Sequence, residues 1–332
     1  MIALLMSTSA SASGLKVVRT GESVESIAAS LGEPSLVPML RQLNALDGVQ
    51  QPNIGDVLVL PPLEGQIALS GALLSLWGRG ELIPAGGIPA ALTEGMHLPV
   101  GSVVCTDVDS YATIRLAVSN DQHDDVTLLG NSCLTLESVS MREASRRSVV
   151  SLTRGGLTIR AADASGEVMV LTESGLATGD RGGFRVSLED TAVRTEALYA
   201  DVAVFGAGEE VAVDAGFGSR VITGEPPSVP SRLLAPEALL TPEAGASLRR
   251  PDFTWTPVER APMYLVEVST TPDFSQIIRA VEVVQPEWSP DVLLSPYRVE
   301  GLWWRVSPID RIGFVGQPST ARNLNFPMGT GL

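Results

Sequence analysis

Residues 177–188 read ATGDRGGFRVSL, a turn cluster that runs straight into a strand. Gly and Asp in the first half bend a chain at little steric cost. In the second half Phe184, Val186 and Leu188 alternate with Arg185 and Ser187, so one face is apolar and the other polar. The same unit recurs outward in both directions. Ile114, Leu116 and Val118 keep the period of two, as do Leu134 with Leu136, Val168 with Val170, Val202 with Val204, and Val211 with Val213. TDVDS (106–110), SNDQHDD (119–125) and GAGEE (206–210) punctuate these runs. Strands this short and this regularly interrupted predict an all-β sandwich or a coil of sheets over 64–224.

Composition agrees. With 32 Gly and 23 Pro against 5% aromatics, turns must be frequent, and 44% hydrophobic residues suffice to bury cores. A chain of 332 residues predicts two or three domains. The net charge of −15 repels a phosphate backbone, which argues against nucleic acid as a partner. Lys16 is the only lysine, so a Walker-type Gly-Lys pair, a Schiff-base lysine or a Ser-Lys dyad has no residue to use elsewhere.

The first residues, MIALLMSTSASAS, combine a short apolar run with small residues of the kind found at signal cleavage sites. They lack a basic start, so 1–13 reads as the tail of a secretory signal, with a cytoplasmic N-terminus as the open alternative. The most apolar uncharged run, 65–78, falls short of the ~18–20 residues that cross a bilayer. No transmembrane anchor is expected. Cys105 and Cys133 are the only cysteines. In an oxidising compartment they can pair; otherwise they serve as two small buried hydrophobes.

Residues 14–62 depart from the period of two. Ser23 suits an N-cap, and Val24, Ile27, Ala28 and Leu31 follow at the spacing of one buried helical face, which Gly32 ends. A second short helix is predicted from Ser35 to about Asn44, with Leu36, Leu40 and Leu43 inward. LKVV before and VLVLP after are strands, giving βααβ. With Val17-Val18-Arg19-Thr20-Gly21-Glu22-Ser23-Val24, then Ile27-Ala28, Asn44 and Ile54-Gly55-Asp56-Val57-Leu58-Val59-Leu60-Pro61, this segment resembles the LysM module of cell-wall proteins. The resemblance implies a shallow groove for N-acetylated glycans such as peptidoglycan. One wall is Gly21, Glu22, Ser23 and Val24; the other is Leu46, Asn53 and Ile54. Family members usually carry Asp and Thr where this chain has Glu22 and Ser23.

Two further resemblances follow. Leu98-Pro99-Val100-Gly101-Ser102, Ala112-Thr113-Ile114-Arg115-Leu116, Thr172-Glu173-Ser174-Gly175, Arg181-Gly182-Gly183-Phe184-Arg185-Val186 and Ala212-Val213-Asp214-Ala215-Gly216-Phe217-Gly218 make 64–224 similar to FecR-type periplasmic domains. The family tends to have Thr-Pro at 172–173 and Arg-Gly-Thr at 181–183. Its signalling members place a membrane span before this domain, where this chain has the LysM-like segment. After a Pro-rich stretch at 225–250, expected to be an extended, exposed linker, residues 234–327 look like a fibronectin type III-like β-sandwich. Trp255, Tyr264 and Trp304 would fill its core. Trp288 and Trp303 are the candidates for an exposed contact, although packing is the commoner fate of such rings.

Nothing in the sequence argues for catalysis. His97 and His123 lack metal spacing, and DQHDD (121–125) reads as a solvated hairpin tip. No G-x-S-x-G occurs, and GAGEEV (206–211) opens a strand where a phosphate loop needs a helix. Glu209 and Glu210, adjacent on a strand, point to opposite faces. The expectation is a multidomain, mainly β, non-catalytic envelope protein without metal or cofactor. It would be exported to the periplasm or cell envelope and would bind peptidoglycan at its head while presenting β-domains to an envelope partner. The alternatives are a FecR-like regulator sensing an outer-membrane partner, and an accessory subunit of a wall hydrolase.

Overall fold

The computed structural model describes residues 14–119, 122–142, 145–161, 166–236, 238–247, 251–290 and 301–325. The expected signal remnant, 1–13, lies outside them. About half of the chain is strand and 6% is helical, arranged as several sheets, so the multidomain β reading holds.

The head is βααβ. Strands Gly14–Val17 and Val57–Leu60 pair antiparallel, and helices α1 (Val24–Ser30) and α2 (Val37–Leu43) connect them through a 3-10 turn, Pro34–Leu36. Ser23 starts α1 because its hydroxyl accepts from the Ser26 amide at 3.1 Å while the Ser26 hydroxyl accepts from the Ser23 amide at 2.8 Å. Two first-turn donors are thereby satisfied at once. Val24, Ile27, Ala28 and Leu40 pack with Leu58 and Leu60. Leu43 departs from expectation: it is 37% exposed, and Leu46, beyond the helix, turns inward in its place. Asn44 makes the exchange possible. Its carboxamide donates to Leu40 O and Val59 O and accepts from the Val59 amide, which fixes the end of α2 to the sheet.

The middle segment is both of the alternatives read from its sequence. Successive hairpins alternate between a nine-stranded and a ten-stranded sheet, and strand order within each sheet largely follows chain order, so a coil builds a sandwich. Its core contains Leu73, Ile114, Leu116, Val126, Val150, Val168, Phe184 and Val186. Cys105 and Cys133 are direct partners on antiparallel strands, 4.2 Å apart at Cα, and are joined by a disulfide. DQHDD requires correction. Asp124 and Asp125 are buried, because the strand Gln122–Leu128 carries them into the structure. Asp124 meets buried Arg146 of the other sheet at 3.2 Å, and Asp125 is held by Arg115 and Arg160. The expected tip residues 120 and 121 lie outside the described residues.

The C-terminal module is a second sandwich of three and five strands around Phe253, Trp255, Tyr264, Val266 and Trp304. Trp288 stacks on Phe253 with ring centroids 5.1 Å apart, and Trp303 packs against the Tyr111–Phe274 cluster, so neither ring stands free. The described part of the stretch 225–250 is largely exposed, as expected, but it is anchored in places. Ser231–Arg232 extends the nine-stranded sheet, and Leu233 is buried against Leu198 and Phe314.

Both outer faces of the middle sandwich are covered. Val149, Met169, Leu176 and Phe205 of the ten-stranded sheet pack on Val17 and on Leu15, Ile54 and Val57 of the head. The nine-stranded sheet meets the C-terminal module largely through polar groups. The Tyr111 hydroxyl donates to Ala280 O and accepts from the Ala280 amide, each at 2.9 Å, and Thr113 donates to Ser275 O at 2.6 Å.

The Asp124–Arg146 pair yields a stability test. Removing one member of a buried ion pair takes a counter-charge from the other, at a cost of up to about 3–5 kcal/mol. Asp124→Ala should lower the urea midpoint accordingly, whereas the double replacement Asp124→Leu with Arg146→Met should recover most of the loss.

Candidate functional site

At one end of the head, the turn 19–23 lies across from the loop 47–53. Gly21 makes the turn with φ of +81° and nothing within 4 Å of where a Cβ would stand. That left-handed conformation suits glycine and leaves its backbone open. The Glu22 carboxylate folds back instead of facing outward: it meets the Lys16 ammonium at 3.0 Å and accepts from the Arg19 amide at 2.8 Å. Lys16 also donates to Val17 O, so the only lysine amine is engaged inside the module.

A strap closes the two loops onto each other. The Val24 amide donates to Gln51 Oε1 at 3.0 Å, and Gln51 Nε2 donates to Glu25 at 3.1 Å. Arg41 completes it, donating to Glu25 at 2.7 Å and to Gln50 O at 2.5 Å. The hydrogen bond from Arg41, reinforced by the Glu25 amide and Gln51, holds the Glu25 carboxyl down to about 2. Asn53 is fixed through its amide, which donates to Asp56 Oδ2 at 2.8 Å.

The seven residues expected in the groove therefore divide. Gly21 and Asn53 are exposed, and Ser23 is half-buried as the helix cap. Glu22 is spent on its own turn. Val24 and Leu46 face the module core, and Ile54 faces the middle sandwich beside Phe205. On the loop 47–53, Val49 is 91% exposed, and Gln50 is exposed beside it. The sequence reading missed Val49 and the Arg41–Glu25–Gln51 strap. Glu25 and Arg41 are 16 positions apart, so no helical or strand period links them.

The middle sandwich reaches the same turn. The Thr20 amide donates to Glu210 Oε2 at 2.8 Å, and Arg19 pairs with Glu167 at 3.3 Å. Glu167 stays ionised although burial pushes its carboxyl up, because Arg147, Arg19 and Lys16 outweigh that penalty. Elsewhere, a cavity of about 350 Å³ lies between the nine-stranded sheet and the C-terminal module, lined by Tyr111, Arg185, Leu188, Arg194 and Val315. Among the described residues no helix is long and apolar enough to cross a membrane, and no cluster of three or more His, Cys, Asp or Glu side chains is placed to hold a metal ion.

The strap can be tested by titration. In Arg41→Met the Glu25 carboxyl loses its largest stabilising contact, so its NMR titration midpoint should return toward 4.5 from about 2. Amide exchange in residues 47–53 should quicken in the same variant.

No family model matches the sequence, and no curated protein matches it. Two crystal structures of a candidate anti-sigma factor from Parabacteroides distasonis, at 2.50 and 1.65 Å, share 14% and 13% identity with this chain, each with a TM-score of 0.33. Each match covers 39% of this chain and 59% of that one. The chain thus spans less than two thirds of that protein's resolved length. The FN1–FN3 domains of chicken CNTN1 align over 78% of this chain and 99% of theirs, at 10% identity and a TM-score of 0.22.

Proposed function

We propose that this is a non-catalytic, exported envelope protein whose head binds N-acetylated glycan, with peptidoglycan as the ligand. The observation that carries the reading is the pair of loops at one end of the βααβ head. The strap through Gln51 holds them together and leaves the Gly21 backbone, Val49 and Asn53 facing outward. Backbone groups suit the acetamido group of such a sugar, which offers one donor and one acceptor, and Val49 suits the apolar face of the ring. Charge contributes little, since Glu22 and Glu25 are both paired within the head.

Sedimentation of the full chain with purified sacculi tests the reading. The intact chain is the right material, because removing the head would bare Met169, Leu176 and Phe205 of the sandwich. Wild type should sediment, with little change between low and physiological salt. Gly21→Val forces a β-branched residue into positive φ and should weaken sedimentation by at least about tenfold without unfolding the chain. Asn53→Ala should weaken it less. Sedimentation that survives both changes, or that collapses in salt, would overturn the groove. Absence of sedimentation in wild type would favour the regulatory alternative, in which the sandwiches face a protein partner.

Export has its own test. Fractionation of the host should find the chain in the envelope with the disulfide formed and with residues near 13 at its start. Recovery from cytosol alone, with reduced cysteines, would refute it.

A further inference from the structure

The contact between the nine-stranded sheet and the C-terminal module differs in kind from the sandwich cores on either side of it. Each sandwich closes a core of its own, one around Ile114, Val150 and Phe184, the other around Phe253, Val266 and Trp304. Neither needs the other to bury its inner faces. Between them lie charged groups. Arg185 meets Glu267 at 3.6 Å, Glu267 meets Arg305 at 2.8 Å, and Arg160 reaches Asp273 at 2.5 Å. Glu196 is fully buried and accepts at 3.3 Å from the Val315 amide of the module.

This contact is also incompletely paired and incompletely filled. Among the described residues, Arg185 Nη1, Glu196 Oε2, Glu267 Oε1 and Ser307 Oγ are buried without a hydrogen-bond partner. Two cavities, of about 350 and 180 Å³, interrupt it. Unpaired buried polar atoms cost free energy that docking must offset, and polar, loosely packed contacts between domains are those that open. Two apolar anchors oppose opening: Tyr111 with Phe274 and Ile277, and Phe314 with Leu198 and Leu233.

We propose that the C-terminal module is a reversibly docked cover on the nine-stranded sheet, opening as one unit while both sandwiches stay folded. Opening bares a face that carries Arg115, Arg160, Arg185 and Arg194 against Asp125 and Glu196. The head should stay in place meanwhile, because its contact with the other sheet buries an apolar cluster in addition to the Arg19–Glu167 and Thr20–Glu210 contacts.

Proton linkage follows from Glu196. Burial pushes its carboxyl up to about 7, against the pull of Arg185, Arg194 and the Val315 amide and with a further push from Asp310. Once bared, the carboxyl titrates near its ordinary 4.5. Between those values the docked form keeps a proton that the open form releases. Docking is therefore strongest below about 4.5 and weakens as pH rises through about 7.

Two amides report opening directly, since their acceptors sit on the other domain: Ala280 to the Tyr111 hydroxyl and Val315 to Glu196. In native-state hydrogen exchange of the full chain, both should exchange at least tenfold faster than the ladder amides between strands Met263–Ser269 and Gly301–Ile309. Their protection, corrected for the intrinsic rate, should fall between pH 5 and pH 8, and Glu196→Gln should remove the fall. Tyr111→Phe deletes one hydroxyl and leaves the sheet intact; opening as a unit requires exchange at Val315 to quicken along with Ala280. Protection at both amides equal to that of the ladder would overturn the proposal. So would a Tyr111→Phe effect confined to Ala280.

Discussion

A β-strand presents two faces, and a two-sheet sandwich satisfies only the inner one. The middle segment therefore has to dispose of two outer faces, and most of the architecture follows from how it does so. On the ten-stranded sheet, the residues between the core positions are Val149, Met169 and Phe205, which water would not tolerate as a broad patch; the head covers them. On the nine-stranded sheet the corresponding positions are Arg115, Asp125, Thr158, Arg185 and Glu196, which could have stayed in water. Covering them requires opposite charges, and the C-terminal module brings Glu267 and Asp273. One neighbour is thus attached around an apolar cluster flanked by the Arg19–Glu167 pair, and the other around charge pairs flanked by two apolar anchors.

That difference decides which groups are perturbed. Glu267 and Glu196 are both fully buried, yet they move in opposite directions. Burial raises each carboxyl, but Arg305 and Arg185 flank Glu267 closely enough to bring it below its ordinary value. Glu196 has Arg185 and Arg194 nearby and one long hydrogen bond from Val315, which is too little to offset the loss of water. Two carboxylates beside the same arginine therefore divide into a permanent charge and a proton acceptor.

Much of the fold was legible because it is periodic. Phe184, Val186 and the alternating pairs on either side of them name one face of nearly every middle strand, and the apolar stripe Val24, Ile27, Ala28 names the inner face of α1. What periodicity cannot report is what covers a second face. Asp125 looks like a residue of a wet turn until Arg115 and Arg160 are placed on the flanking strands, and Pro-rich 225–250 looks like a free linker until Leu233 finds Leu198 and Phe314. The candidate site shows the same boundary. Local rules found the Ser23 cap and the Gly21 turn, whereas the Arg41–Glu25–Gln51 strap depends on three segments meeting in space.

The acidity of the chain constrains the proposed recognition as well. At −15, with Glu210 reaching the amide of Thr20 beside the groove, the surroundings of the head repel anionic groups. A glycan approached there has to be held by neutral contacts, through the backbone at Gly21, the amide side chain of Asn53 and the apolar surface of Val49. The pairing of Glu22 with Lys16 and of Glu25 with Arg41 fits that requirement, because it gives each of these two carboxylates of the head a counter-charge. The only lysine is then best understood as a neutralising group for the turn. Its ammonium donates to Val17 O and meets the Glu22 carboxylate, and its 8% exposure leaves it little other use.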